Sequence, residues 1–257
     1  MPKRYDTTQD KNFDDLVHRF SRNIYGQLKG KIRLAIINRD LEAHLDTPKS
    51  ILDVGGGQGQ LAIEFAKQGH SVTLCDVSEK MIELAKQAAA QEHVSSINFI
   101  HSPLQSLPEQ DHPPADIVLC HAVLEWMAKP EEAFPILYNS LPQGGILSLA
   151  FFNVDSLIYK NLVRANYRKA LSNDYVGVEG SLTPINPLKI DQVKTWCEQY
   201  GFTILDYSGI RTFHDYIADK TVRARHPEAA IEAELQFSKQ DPFRQLGRYI
   251  HIVAQKN

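Results

Sequence analysis

The stretch ILDVGGGQGQ, residues 51–60, sets an acid, Asp53, two positions ahead of the glycines Gly55, Gly56, Gly57 and Gly59. Glycine permits positive φ and lets a ligand meet the backbone where a Cβ would intrude, so four together exceed what a tight turn needs. Gly57-Gln58-Gly59-Gln60-Leu61-Ala62 fits G-x-G-x-x-A, the dinucleotide pattern. Asp53 argues the other way, because a carboxylate repels a pyrophosphate in a partly desolvated crevice. It suits a cation, such as a sulfonium or the ammonium of an amino acid. Seventeen residues after Gly59 comes Asp76, closing the run SVTLCD. An acid there can accept both hydroxyls of a ribose, in NAD or in S-adenosylmethionine alike. Ser78, ahead of EKMIELAKQ, is the better helix cap, which leaves Asp76 for a ligand.

These residues need a scaffold of strands and helices. Short apolar runs at 50–54, 71–77, 97–101, 116–121 and 145–151 alternate with helix-compatible segments at 60–68, 79–92 and 130–140. Alternation of this kind predicts βαβ units and a mostly parallel α/β sheet, and near-continuous apolarity predicts strands buried on both faces. Ahead of them, Phe13, Leu16, Val17, Phe20 and Ile24 share one helical face, and a second helix is expected from Lys31 to Leu45. After residue 153 the alternation breaks. A helix from Leu157 to Leu171 and the loop YVGVEGSLTPINP predict a cap inserted at 154–190 over the C-terminal edge of the sheet. Helix 191–200, strand 202–209, a helical region 215–240 and a strand at 246–254 follow, the late strands suiting an antiparallel closure. One domain is expected: N-terminal helices (1–47), a ligand-binding core (48–153), the cap, and the rest of the sheet (191–257).

Bulk composition sets bounds. The 257 residues are 43% hydrophobic and 23% charged, with a formal net charge of -3, so there is no global basic signature for nucleic acid. Local cationic clusters do occur at Lys29, Lys31 and Arg33, at Arg164, Arg168 and Lys169, and at Lys220, Arg223 and Arg225. No apolar run reaches the roughly 18 residues that span a bilayer. The polar start MPKRYDTTQDKNF is unlike a signal peptide, and Cys75, Cys120 and Cys197 form no framework. A cytoplasmic protein without membrane, metal or obligatory protein partner is expected.

Together, the glycine loop, Asp76, the Asp-led run in PPADIVLCHAVLEWMAKPEEAF (113–134) and the turn in LPQGGILSLAFFN (141–153) resemble the class I S-adenosylmethionine-dependent methyltransferases. That turn, Pro142-Gln143-Gly144-Gly145, is one residue longer than the usual form. The resemblance implies a Rossmann-like, seven-stranded, mostly parallel sheet with helices on both faces and an antiparallel closing strand. NFDDLVHRFSRNIYG, KGKIR, HAVLEW, GIRTFHDY and LGRYIHIVA are similar, beyond this, to the bacterial tRNA 5-carboxymethoxyuridine methyltransferases, nearly end to end and weakest over 155–190.

This resemblance implies S-adenosylmethionine as cofactor, contacted by Arg33, Asp53, Gly55, Gly56, Gly57, Asp76, Leu104, Gln105 and His121. It implies methyl transfer to the carboxylate of 5-carboxymethoxyuridine at the wobble position of tRNA. A carboxylate is already ionised at neutral pH, so no catalytic base is expected and in-line positioning carries the rate. Tyr25, Arg211, His214 and Arg248 are candidates to hold the acceptor. The segment with Tyr159, Lys160, Arg164, Tyr167, Arg168 and Lys169 is the first candidate to face the anticodon loop, where splayed bases need stacking and phosphates need cations. The rival is a methyltransferase of a small carboxylic acid or phenol. An NAD-dependent oxidoreductase, explaining the glycines and Asp76 but not the later motifs, and a non-enzymatic S-adenosylmethionine-binding subunit are further alternatives.

Overall fold

The computed structural model describes residues 3–12, 14, 27–110, 112 and 114–257. The helix expected on Phe13 to Ile24, and Tyr25 after it, lie outside the described residues.

A seven-stranded sheet is built from β1 (Ser50–Val54), β2 (Ser71–Asp76), β3 (Ile97–His101), β4 (Ile117–His121), β5 (Ile146–Phe152), β6 (Phe202–Ile210) and β7 (Tyr249–Lys256). Its order is β3-β2-β1-β4-β5-β7-β6. The first five strands run parallel, and β7 enters antiparallel between β5 and β6. The sheet reverses its order between β1 and β4, and ligands bind such folds outside the carboxyl ends of the strands at that point. β4 is buried at every residue because the sheet is covered on both faces. Its side chains alternate: Ile117 and Leu119 pack with Ile32, Ile36 and Ile37 on one face, and Val118 and Cys120 with Phe134 and Val193 on the other.

The flanking helices are α1 (Leu28–Leu41), α2 (Gln60–Lys67), α3 (Glu79–Gln91), α4 (Ala133–Asn139), α5 (Val154–Leu162), α6 (Tyr167–Leu171), α7 (Ile190–Gln199), α8 (Lys220–Arg223) and α9 (Pro227–Phe237). Three spans differ from expectation. The helix expected to end at Leu45 ends at Leu41 and tightens into a 3-10 turn over Glu42–His44. The helix expected from Leu157 to Leu171 is two helices. Ala165 turns left-handed (φ 57°), and the Asn166 N–H closes back on the Asn161 carbonyl at 2.9 Å. This is a helix stop made without glycine, at a cost of roughly 1 kcal/mol. The region 215–240 is likewise broken, with Pro227 starting a new helix because it has no N–H to continue an old one.

Asn153 caps α5 and donates from Nδ2 to the carbonyls of Gln245 and Gly247, tying the end of β5 to the turn before β7. The N-terminal segment also has a seat. Tyr5 donates its N–H to Gly177 and its hydroxyl to Ser181, with its ring edge-on to Trp126. Among the described residues no helix is long and apolar enough to cross a membrane, and no cluster of His, Cys, Asp and Glu could hold a metal ion.

Candidate cofactor and acceptor site

The carboxyl ends of β1, β2 and β4 open on one cleft lined by Arg33, Asp53, Gly55, Gly56, Gly57, Asp76, His121 and Ala122. A second hollow continues from it over Leu104, Gln105, Val123, Trp126 and Met127, and Gly55, Asp76 and Ala122 border both. The loop after β1 is tied down by Gly55 and Gly56 N–H groups on the Cys75 carbonyl. Gly55 has φ +69°, and a Cβ on it would stand 2.3 Å from Val123 Cγ2, so no other residue fits there.

Asp76 accepts the Gly57 N–H on Oδ2 (2.9 Å) and the Ser78 N–H on Oδ1 (2.8 Å). Each oxygen keeps a lone pair, and the carboxylate stands at the junction of the two hollows, where a ribose linking adenine to an amino acid would lie. Ser78 caps α3 by accepting from Met81 N–H, the division of labour its position predicts. Asp53 is nearly fully buried yet borders the cleft. Burial pushes its carboxyl up to about 7, opposed by the Arg33 guanidinium and reinforced by Asp76. A sulfonium or ammonium beside it would restore the charge. Arg33, in α1, has no hydrogen-bonded partner among the described residues, so its fork is available to a carboxylate. An acid for a ribose, an acid for a cation and a guanidinium for a carboxylate together fit S-adenosylmethionine.

Sequence reasoning missed several participants. Gln9, Asp10 and Asn12 line the second hollow, and Asp10 ties its walls together by accepting from Gln105 Nε2 (2.6 Å) and Ala128 N–H (2.7 Å). Ala122 has φ 60°, strain of the kind that collects where a backbone meets a ligand. Glu125, inside HAVLEW, is wholly buried, and neither oxygen has a hydrogen-bond partner among the described residues; burial raises its carboxyl to about 8.

A cationic cluster adjoins the cleft. Arg211 Nη2 is 3.6 Å and Arg248 Nε 3.9 Å from the single carboxylate of Asp215, all three side chains being largely buried. Lys29 and Lys160 share this field; burial, Arg248 and other cations bring Lys160 down to about 8 despite Asp215. Asp215 Oδ1 and Arg248 Nη1 are buried without hydrogen-bond partners among the described residues. The Arg211 guanidinium lies 5.4 Å from the Tyr249 ring, and Tyr249 feels Arg33 as well, which sets the cluster beside the cofactor cleft. Arg211 and Arg248 are thus brought together as their motifs suggested. His214 lies near, but burial drops it to about 4, so it is neutral at pH 7 and adds no charge. Its N–H, with those of Thr212 and Phe213, is bound by the buried Glu234 carboxylate.

Arg164 and Arg168 are exposed on the cap with Tyr159, Leu162, Val163 and Tyr167. Lys169 is instead tied to the Asp174 carbonyl. Lys220 and Arg225 are exposed, and Arg223 reaches toward Lys29 and His214.

Comparison with known proteins resolves the choice among nucleotide-binding classes. Residues 52–149 match the methyltransferase domain family. Over 253 residues the chain is 42% identical to the tRNA 5-carboxymethoxyuridine methyltransferase of Escherichia coli (strain K12), covering 96% of this chain and 97% of that protein. The chain belongs to the tRNA 5-carboxymethoxyuridine methyltransferase family. Its cofactor is S-adenosylmethionine. Solved structures extend the likeness in fold. The PH0226 protein of Pyrococcus horikoshii superposes with a TM-score of 0.66 at 14% identity, covering 95% of this chain and 99% of that one. The 1,6-didemethyltoxoflavin-N1-methyltransferase of Burkholderia thailandensis, solved with S-adenosylhomocysteine, gives 0.60 at 16% identity, covering 95% and 85%.

Proposed function

We propose that the chain converts 5-carboxymethoxyuridine at the tRNA wobble position to its methyl ester. When bound, S-adenosylmethionine supplies the sulfonium methyl group. The observation that carries the acceptor reading is the gathering of partly buried Arg211, Arg248, Lys160 and Lys29 around one buried acid, Asp215, next to the cofactor cleft. So many desolvated cations on one carboxylate call for a second anion. The acceptor's carboxylate provides it.

Chemistry follows from placement. The nucleophile arrives ionised, so the protein has no proton to remove, and orientation lowers the barrier. Arg211 and Arg248 hold the acceptor carboxylate through a planar fork, leaving the second oxygen's lone pair for the methyl carbon. Buried Phe152 and partly buried Tyr249, packed against Arg248 and Arg211, limit the water that would otherwise solvate the nucleophile. Glu125, protonated at neutral pH, adds no competing negative charge. Asp53, Asp76, Arg33 and the loop of Gly55, Gly56 and Gly57 hold the cofactor.

Exposed Tyr159, Tyr167, Arg164 and Arg168 on the cap favour a nucleic-acid acceptor over a small acid, since they offer stacking faces and phosphate contacts beyond the pocket. Substrate of this kind places the reaction in the cytoplasm. The test uses methyl-labelled S-adenosylmethionine with bulk tRNA or with small carboxylic acids and phenols. Label that enters tRNA and leaves as methanol in mild alkali supports a carboxyl ester on RNA. Alkali-stable label, or label found only on the small molecules, refutes it.

A further inference from the structure

His121 ends β4, and its register partners across the sheet are Ala150 in β5 and then His251 in β7. Directly paired residues share a face, and the small Ala150 between them lets the two imidazoles approach edge to face, 5.5 Å between centroids. Ser148, two residues earlier on the same face of β5, sits between their ring nitrogens. Its Oγ is 2.9 Å from His121 Nε2 and 2.7 Å from His251 Nε2. His251 Nδ1 continues to Asp40 Oδ2 at 2.8 Å, while Asp40 Oδ1 is held by Arg39 Nη2 (2.7 Å) and Lys239 Nζ (3.4 Å). Arg39 is itself anchored on Ser208 and Ser238. The chain runs from the cofactor cleft, through the sheet's buried face, to a half-exposed lysine.

Proton counting along this chain has one solution for each charge state of His251. Against burial, His251 and Arg39 hold the Asp40 carboxyl down to about 2, so it only accepts and His251 Nδ1 donates. With His251 neutral, its Nε2 takes the single Ser148 hydroxyl proton, and the Ser148 oxygen accepts from His121 Nε2–H. Burial keeps His121 itself neutral, assisted by Arg33 and His251. Its Nδ1 then carries a bare lone pair, and that nitrogen is buried without a partner among the described residues, in a residue that lines the cleft. With His251 protonated, Nδ1 still donates to Asp40, but the two hydrogen bonds through Ser148 reverse and His121 carries its proton on Nδ1.

We propose that Asp40, His251 and Ser148 act as positioning residues that set the tautomer of His121, making its Nδ1 an acceptor for the ammonium end of the cofactor's amino acid. The inference rests on assigning the cleft to S-adenosylmethionine. A proton on Nδ1 would instead make the same atom a donor that repels the ammonium. The charged groups facing His251 are Asp40, Arg39, Lys239 and, beyond Ser148 and His121, Arg33.

The test is nitrogen-15 NMR of the full chain with labelled histidine and without cofactor, His121 and His251 being identified by single His→Asn variants. Expected is a proton on His121 Nε2 while His251 is neutral, moving to Nδ1 as His251 protonates in the same spectra. A His121 proton on Nδ1 while His251 is neutral overturns the proposal. Ser148→Ala should mix the two His121 tautomers and raise the KM for S-adenosylmethionine about twofold, since roughly half of the molecules then present the wrong tautomer, with kcat at saturation little changed. Ser148→Thr, which keeps the hydroxyl, should restore both. An unchanged His121 tautomer in Ser148→Ala overturns the relay, and an unchanged KM overturns its link to the cofactor, while the assignment of the cleft stands on direct binding of S-adenosylmethionine.

Discussion

Arg248 lays its guanidinium carbon 4.3 Å from the centre of the Phe152 ring. One face of the cation is thereby sealed against an aromatic surface, and only the edge of the fork remains for an anion. A lysine cannot reproduce that arrangement, since its ammonium neither stacks nor offers parallel donors. Arg248→Lys should therefore raise the acceptor KM by about tenfold or more, close to the effect of Arg248→Ala, while the affinity for S-adenosylmethionine stays within about twofold. Steady-state kinetics with tRNA, beside calorimetry with the cofactor, check both halves. Full activity in the lysine variant would remove Arg248 from the acceptor site.

Arg211 holds φ at 61°, a left-handed conformation that costs a residue with a Cβ roughly 1 kcal/mol. Arg211→Gly and Arg211→Ala lose the same guanidinium, so both should weaken acceptor binding alike. The glycine variant alone relieves the strain. It should unfold at a higher denaturant concentration than the alanine variant, by about 1 kcal/mol in urea titrations.

Asp53 is raised to about 7 by burial. A cationic ligand favours the ionised form, so binding displaces a proton at and below that pH. Affinity for S-adenosylmethionine should rise with pH and level off above about 7, by up to about tenfold per unit on the acid side. Calorimetry in two buffers of different ionisation enthalpy reads the released proton. Asp53→Asn should abolish both the release and this part of the slope.

Glu125 is raised to about 8 by burial, against an ordinary carboxyl value of 4.5. The folded chain thus binds this proton more tightly than the unfolded chain. Its contribution to stability is complete below about 4.5, declines as pH rises and is lost above about 8. Glu125→Gln has no proton to lose. Relative to the parent it should gain about 4 kcal/mol between pH 5 and pH 9, as read by urea unfolding at the two values.

The five parallel strands were legible because strands covered on both faces are written as unbroken apolar runs, and their predicted spans differ from the observed ones by a residue or so at the ends. Asp53 and Asp76 stood out because an acid at the end of such a run, beside glycines, has few purely structural reasons to be there, and both line the cleft. The breaks in the cap were not. Ala165 turns the chain left-handed without the glycine that announces such turns, and the helix pattern runs through it unmarked. The acceptor cluster was half visible: GIRTFHDY and LGRYIH pointed to Arg211 and Arg248, but Asp215, Lys29 and Lys160 gain meaning only when four elements converge. Asp40, Ser148 and His251 are separated by more than a hundred residues in places, so no local pattern could join them.

The most direct test of the account is nucleoside mass spectrometry. Purified protein is incubated with S-adenosylmethionine and tRNA bearing 5-carboxymethoxyuridine, and the digested nucleosides are weighed. The account predicts that this nucleoside gains the mass of one methylene group, with none gained when the cofactor is omitted or when Arg211 and Arg248 are both alanine. An unchanged nucleoside, from protein that demonstrably binds S-adenosylmethionine, would contradict it.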